Sequence, residues 1–337
     1  MGLKQLSSRD IIGQFFETLE AATGSTWIPR VSMLFPSNQQ FENYKWLGFS
    51  PALRRWIGER QAKGLRVNGV TIENLLYEGT LGIDVDDIRR DKTGQIKIRI
   101  GEQVDEAISH WATLLTSLVE AAESAACYDG QFFFDTDHQE GDSPTQSNDL
   151  AAGDYSELNV TTPTNPTANE LSDVIMKMIQ HMYTFKNDQN RPMNAFAKQF
   201  LVMVPVSFFG AAQQAIFSKN LETAGGVRNN PLSGLLERGW ALDVEANPEL
   251  SWTTKLAVFR TDGRAKPFIR QAELLGDSGQ GAAVPSATQG ESLGIQVQSI
   301  AEGSEEEFKN NRWLFGIKAS RNVGYGYWQH GVLATLS

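Results

Sequence analysis

Apolar positions along the chain change period several times, and each change predicts a different element. Leu6, Ile11, Ile12, Phe15, Phe16 and Leu19 recur at helical spacing with acids and amides between them, which predicts an amphipathic helix. Residues 22–40 mix Gly24, Pro29 and Pro36 with isolated apolar side chains and read as an extended arm. Tyr44, Trp46, Leu47 and Phe49 crowd a short aromatic run before Pro51. Residues 52–64 then set Arg54, Arg55, Arg60 and Lys63 around Leu53, Trp56 and Ile57, a short stretch compatible with helix. From 65 to 100 the pattern turns to strands: Val67, Val70 and Ile72, then 80–85, then Ile96, Ile98 and Ile100 alternating with Lys97 and Arg99. Asp91-Lys92-Thr93-Gly94 reads as a turn between two of them. Polar residues on both faces suit a long hairpin that projects outward and lies on a partner.

The longest periodic stretch follows. Val104, Ala107, Ile108, Trp111, Leu114, Leu115, Leu118, Val119 and Ala122 keep one apolar stripe, predicting a helix over 104–126. Glu102, Asp105 and Glu106 stand where its N-terminal dipole would favour anions. Asp129-Gly130 is a turn signal and 131–134 a brief aromatic strand. Between 135 and 169 Ser, Thr, Asn, Pro and Gly dominate, as in a surface connection between domains. Leu171, Val174, Ile175, Met178, Ile179 and Met182 predict a second helix over 170–185. Residues 200–206 read as a buried strand and 207–217 as a helix capped by Ser207. Residues 240–245 and 255–260 read as strands, 277–290 as a mobile Gly/Ala/Ser stretch, and 313–336 as strand, turn, strand. The order of elements is α+β, without a repeated βαβ unit.

Composition narrows the function classes. A chain of 337 residues suggests about two domains. Hydrophobic residues make up 41% and charged residues 21%, and the net charge is -10. These values exclude wholesale disorder and a generally basic nucleic-acid wrapper, because neutralising phosphates needs a surplus of Lys and Arg. Cys127, the single cysteine, excludes an intramolecular disulfide framework and fits a reducing compartment. No signal peptide and no membrane span are read from the pattern, so synthesis in the cytosol is expected.

Several constellations carry chemical interest. Asp135, Asp137 and His138 with Glu140 are the residue types that hold a divalent metal and activate water, as in a metal-dependent hydrolase. No second histidine or carboxylate pair follows at ligand spacing, and the plainer reading is a polar turn. Gly290-Glu291-Ser292-Leu293-Gly294 matches a nucleophile elbow, yet a loop precedes it and a strand pattern follows where a helix is needed. Cys127 at the end of an apolar helix reads as a buried hydrophobe. Nothing calls for a nucleotide or other cofactor. Arg54, Arg55, Arg60, Lys63 and Arg66 form a dense basic cluster. Its plain reading is a solvated face, and the alternative is that it pairs with acids of a neighbouring copy, for example Asp84, Asp86 and Asp87. Together with Trp56, these are the candidate subunit-contact residues, and no convergent catalytic set is visible.

Several strings add up to a resemblance. Tyr44-Lys45-Trp46-Leu47-Gly48 with Pro51, Arg54-Arg55-Trp56-Ile57-Gly58-Glu59-Arg60, Ile72-Glu73-Asn74 and Tyr77-Glu78-Gly79-Thr80 resemble the N-terminal half of the Mu-like prophage major head subunit family. The likeness continues through the long helix and the run from Cys127 to His138. It returns at Trp313-Leu314-Phe315-Gly316-Ile317 and at Gly324-Tyr325-Gly326-Tyr327-Trp328-Gln329. One departure is Ala319-Ser320-Arg321, standing where the resemblance implies a more basic pair with an inner-wall contact. The resemblance implies the Hong Kong 97 type of capsid fold, with an N-terminal arm (1–41), an extended E-loop region (42–100), a P-domain (101–168) built on a spine helix (104–126), an A-domain (169–300) and C-terminal strands returning to the P-domain (301–337). It also implies a shell of hexamers and pentamers around double-stranded DNA, with scaffold, portal and decoration proteins as further partners, assembled in a bacterial cytoplasm. An encapsulin-like compartment is a related alternative. No residue-level match to an isopeptide cross-link is present, so non-covalent shells are expected, and the acidity suits an inner wall that repels packed DNA.

Overall fold

The computed structural model describes residues 11, 12, 15, 27–45, 69–90, 95–151, 153–223, 225–273, 281–283 and 294–337. Helix α1 (Ile28–Val31) leads into β1 (Ser32–Ser37), and β2 (Phe41–Tyr44) pairs antiparallel with β3 (Val70–Glu73). Residues 46–68, between these two paired strands, lie outside the described residues. Next come β4 (Leu75–Asp84), α2 (Val85–Arg90) and the long α3 (Gln95–Glu120). The second half runs β5 (Asp149–Ala151), α4 (Ala168–Met182), β6 (Gln199–Val204), α5 (Phe209–Phe217), β7 (Asn220–Thr223), β8 (Gly226–Asn229), α6 (Pro231–Glu237), β9 (Ala241–Ala246), β10 (Lys255–Arg260) and β11 (Phe268–Glu273). It closes with β12 (Gly281–Ala283), β13 (Ile295–Ile300), α7 (Glu305–Asn310), β14 (Arg312–Tyr325) and β15 (Gly331–Thr335).

Two sheets organise the described residues. The first has the order β1-β11-β14-β13-β12, with β4 also on β14. β14 is its axis: β4 lies along 312–321, while β13 and β11 pair with 314–319 and 321–325. Trp313, Phe315, Ile317 and Ala319 alternate inward along β14, the period of two that a half-buried strand requires. They meet Ile96, Ile100, Val104, Ala107 and Ile108 of α3, and Ile11 and Phe15 pack into the same core. The second sheet has the order β5-β15-β10-β6-β9. β6 is buried at every position after Gln199, and such a strand reads as a continuous apolar run because both its faces are covered. Its core takes in α4, α5 and the C-terminal turns of α3 at Trp111, Leu115 and Val119.

Several sequence expectations change here. Ile96, Ile98 and Ile100 are not a strand; they open α3, and the hairpin expected between 80–85 and 96–100 does not form. Alternation over so short a run fits either period: Ile96, Ile100 and Val104 also recur at i, i+4, and it is their burial under the first sheet that decides. Ile98 is left 62% exposed. β4 instead pairs with β14, a partner far along the chain. Residues 131–134 make only an isolated bridge between Ala126 and Phe132, because Phe133 and Phe134 turn into the core. Ser207 does not cap α5; a 3-10 turn over Val206–Phe208 precedes that helix without a side-chain cap. The helix expected at 170–185 is α4, capped by Thr167. Most of 277–290 lies outside the described residues, and 281–283 form β12. Among the described residues no helix is long and apolar enough to cross a membrane.

Candidate subunit-contact surface

The β2–β3 pair, from which the segment 46–68 departs, is fastened to the first sheet. Tyr44 donates its hydroxyl to Gln271 at 2.7 Å, Gln271 donates to the Ile72 carbonyl at 3.3 Å, and Asn322 donates to the Glu73 carbonyl at 2.7 Å. A Cβ at Gly324 would come within 2.5 Å of Cδ1 of Ile72, so the Ile72 side chain would have to shift to admit a larger residue. Arg54, Arg55, Trp56, Arg60 and Lys63 belong to the segment 46–68 and lie outside the described residues.

The three acids proposed to receive them sit together where β4 passes into α2. Asp84 accepts the backbone N–H of Asp86 at 2.8 Å and the side chain of Asn311 at 3.2 Å, so its carboxylate holds the start of α2 in place. Asp86 lies 3.8 Å from Arg90, and Asp87 is exposed. This corner also carries Arg312, which is bound to Glu306. Arg90 thus answers Asp86 of these three acids, while Arg312 is taken up by Glu306.

A more uniform acidic surface lies on α3. With the helix beginning at Gln95, Glu102, Asp105 and Glu106 are no longer in its first turn, and the dipole does not account for them. They stand instead on the outer face, exposed, in line with Ser109, Thr113, Ser117 and Glu120 at the spacing of one helix side. From Ile100 to Met176 the sequence contains fifteen Asp and Glu and no Lys or Arg. That base-free span was available to sequence reasoning; what hid its meaning was the misplaced helix start.

The residues suspected of chemistry are built into the core. His138 is fully buried, stacked on Trp328 at 4.0 Å, with Nδ1 2.7 Å from an Asp129 oxygen and Nε2 3.2 Å from Asn148. Its partner is Asp129, so Asp135, Asp137 and His138 do not converge. Asp135 accepts the backbone N–H of Phe132 and of Thr136, as a turn residue does. Asn148 ties this turn to the C-terminal strands by donating to the Phe133, Trp328 and Gly331 carbonyls. Among the described residues no group of three His, Cys, Asp or Glu is placed to hold a metal ion. Burial pushes the Cys127 thiol well up, with Asp129 and Glu140 adding to the shift, so it stays protonated and unreactive. Ser292 lies outside the described residues. Arg321 is 2% exposed, its guanidinium 4.9 Å from the Trp111 ring and donating to the Ala107 carbonyl at 3.0 Å. It is a core residue and offers no wall contact.

Comparison with known proteins bears on what such a surface serves. Residues 7–160 match the family of Mu-like prophage major head subunits. The major capsid protein of Escherichia phage Mu is 33% identical over 109 residues, which span 32% of this chain and 36% of that protein. The Mu-like prophage FluMu major head subunit of Haemophilus influenzae is 25% identical over 255 residues, 73% of this chain and 76% of its own length. The procapsid of bacteriophage JBD30 superposes with a TM-score of 0.52 at 20% identity, covering 98% of this chain and 77% of that one. The fold is therefore that of a phage capsid subunit, the α+β Hong Kong 97 type, and over residues 7–160, a little under half of the chain, the sequence is similar to Mu-like prophage major head subunits.

Proposed function

We propose that this protein is the major head subunit of a Mu-like phage or prophage, joining copies of itself as hexamers and pentamers into a closed shell around double-stranded DNA. The observation that carries this reading is the match of residues 7–160 to head subunits together with a capsid fold over nearly the whole chain. The protein acts through self-association, and its buried His138, Cys127 and Arg321 hold the fold together. In this reading the first sheet with α3 belongs to the peripheral P-domain, the second sheet with α4 and α5 to the axial A-domain, and the loop at 45–69 reaches a neighbour. By this division β1, β4, β11 and β13 fall to the P-domain and β5 and β15 to the A-domain, so the linear ranges expected from the sequence interleave in space. Assembly takes place in the bacterial cytoplasm, with scaffold, portal and decoration proteins joining the shell.

Negative-stain microscopy and sedimentation of the purified full chain test this. Shells, tubes or capsomers are expected. A small uniform particle at high concentration, even with crowding agents present, would overturn it. Nucleic acid recovered from particles made in infected or induced cells separates a phage head from an encapsulin-like compartment, which would hold a protein cargo instead.

A further inference from the structure

We propose that helix α7 of one copy, with the acidic corner beside it, seats on the basic end of the second sheet of another copy. The inference rests on the shell-forming reading, because it needs copies to meet. Three strand ends join at that end of the sheet. Lys198 donates its backbone N–H to Asp262 at 2.7 Å, Ala241 donates to the Lys198 carbonyl at 2.9 Å, and Thr261 donates to the Gln199 carbonyl at 2.8 Å. Around them stand Arg30, Lys198, Arg238, Arg260, Arg264 and Lys266, drawn from four separate stretches of sequence. Arg30 is taken up by Asp243 at 2.5 Å and Arg260 by Asp262. Among the described residues no carboxylate lies within ion-pair distance of Lys198, Arg238, Arg264 or Lys266, and the first three of these are exposed. The cations crowd one another: burial lowers the pKa of Lys266, and Arg260 and Arg30 push the same way against Asp262. Phe196, two residues before Lys198, is 89% exposed. An apolar knob among uncompensated cations, on a chain of net charge -10, fits a partner surface that is acidic and carries an apolar side chain of its own.

The chain itself carries that surface. α7 reads Glu305-Glu306-Glu307-Phe308-Lys309-Asn310, and Phe308 is also 89% exposed, so the two aromatic knobs are the most exposed large apolar side chains described. Asn311, at the C-terminal end of α7, donates its side chain to Asp84 at 3.2 Å and accepts the Val85 N–H at 2.9 Å, which brings Asp84, Asp86 and Asp87 beside the helix. The pairs already formed there, Glu305 with Lys309 and Asp86 with Arg90, are exposed and worth little in water, so their carboxylates can turn to a second copy. Among the described residues Asp87 and Glu307 have no cation within ion-pair distance. Two different surfaces that fit each other make a head-to-tail contact, the kind that closes rings, whereas a surface that fits only itself stops at a dimer. A long polyanion such as DNA is the poorer occupant, because beyond this patch it meets a chain with ten more acids than bases.

Cross-linking and charge reversal on the full chain test the contact. A zero-length carbodiimide applied to particles assembled from mixed isotopically light and heavy protein should join Lys198 or Lys266 to Glu305, Glu306 or Glu307 in light-heavy pairs. The double variant Lys198→Glu/Arg264→Glu, and separately Glu305→Lys/Glu306→Lys, should each lower the assembled fraction about tenfold, and combining them should restore much of it. Phe308→Ala should lower it by a similar factor while the melting temperature of unassembled chains stays that of wild type, because the side chain packs against nothing within its own copy. Particles in which Lys198 and Lys266 couple elsewhere, and whose charge-reversed variants assemble like wild type, would overturn the contact and leave the shell reading intact. Lysines that stay open to acetylation in empty particles and become protected only once DNA is packaged would also overturn it, assigning the patch to phosphates instead. A wild-type chain that forms no particles would overturn both readings. Should a variant misfold, the cross-links of the wild-type particle decide.

Discussion

His330 is almost wholly buried at the start of β15, and burial, with Arg260 and Lys266 adding positive charge, pushes its pKa down from 6.5 to about 3. The unfolded chain takes up this proton at higher pH than the folded one. Stability is therefore lost as pH falls from about 6.5 towards 3, by about 2 kcal/mol at pH 5 for this residue alone. His110, half-buried against Tyr77 and held down to about 4, acts in the same direction. Asp149 opposes them: burial raises it from 3.8 to about 6, so its neutral form favours the fold below that range and the benefit fades as pH rises through it. The prediction is that His330→Gln flattens the acid limb of stability. Denaturant midpoints of unassembled protein measured between pH 7 and pH 4 should fall less steeply than in wild type, and parallel curves would contradict this. Such residues escape sequence reading because a lone histidine carries no sign of what will surround it. His138 is similar: its neighbours in sequence, Asp135 and Asp137, suggested a ligand set, whereas its actual partner Asp129 lies across the turn.

At the scale of elements, α3 joins the two halves of the molecule. Its N-terminal turns pack under the first sheet, and Trp111, fully buried, meets Arg270 of β11 and Arg321 of β14 at 5.4 Å and 4.9 Å. Two guanidinium groups on one indole are tolerable inside a protein because the ring face is negative, and Arg321 also donates to the Ala107 carbonyl. Trp111→Ala should remove both the packing and this seat, at a cost of about 3–5 kcal/mol, seen as a large drop in the melting temperature of unassembled chains. A change within about 1 kcal/mol would show that α3 is not the join. The apolar stripe from Val104 to Ala122 was legible because it runs far longer than any competing period. The helix start was not, because Ile96-Lys97-Ile98-Arg99-Ile100 fits two periods and only the overlying β14 resolves them. α4 was legible from its apolar stripe, while the capping box of Thr167 and Glu170 that starts it emerged only in the structure.

For the whole molecule, charge and its distribution matter more than any single site. A net charge of -10, with fifteen acids and no Lys or Arg between Ile100 and Met176, disfavours affinity for phosphate. Empty shells are therefore expected to show at most weak adhesion to double-stranded DNA at about 0.1 M salt. Tight binding whose logarithm falls steeply with the logarithm of salt would reverse this view of the inner wall.

The sequence by itself determined the class of elements, the long helix and α4, and the ordered strings from Tyr44 to Gln329 that resemble Mu-like prophage head subunits. These are local matters of period, capping and residue identity, which a linear string carries in full. Only the tertiary structure decided that β4 lies on β14, that 96–100 is helix, that Arg321 is core and that Glu102, Asp105 and Glu106 face outward. Each of these depends on pairing between segments far apart in the chain, where many partners satisfy the local pattern and shared burial selects one.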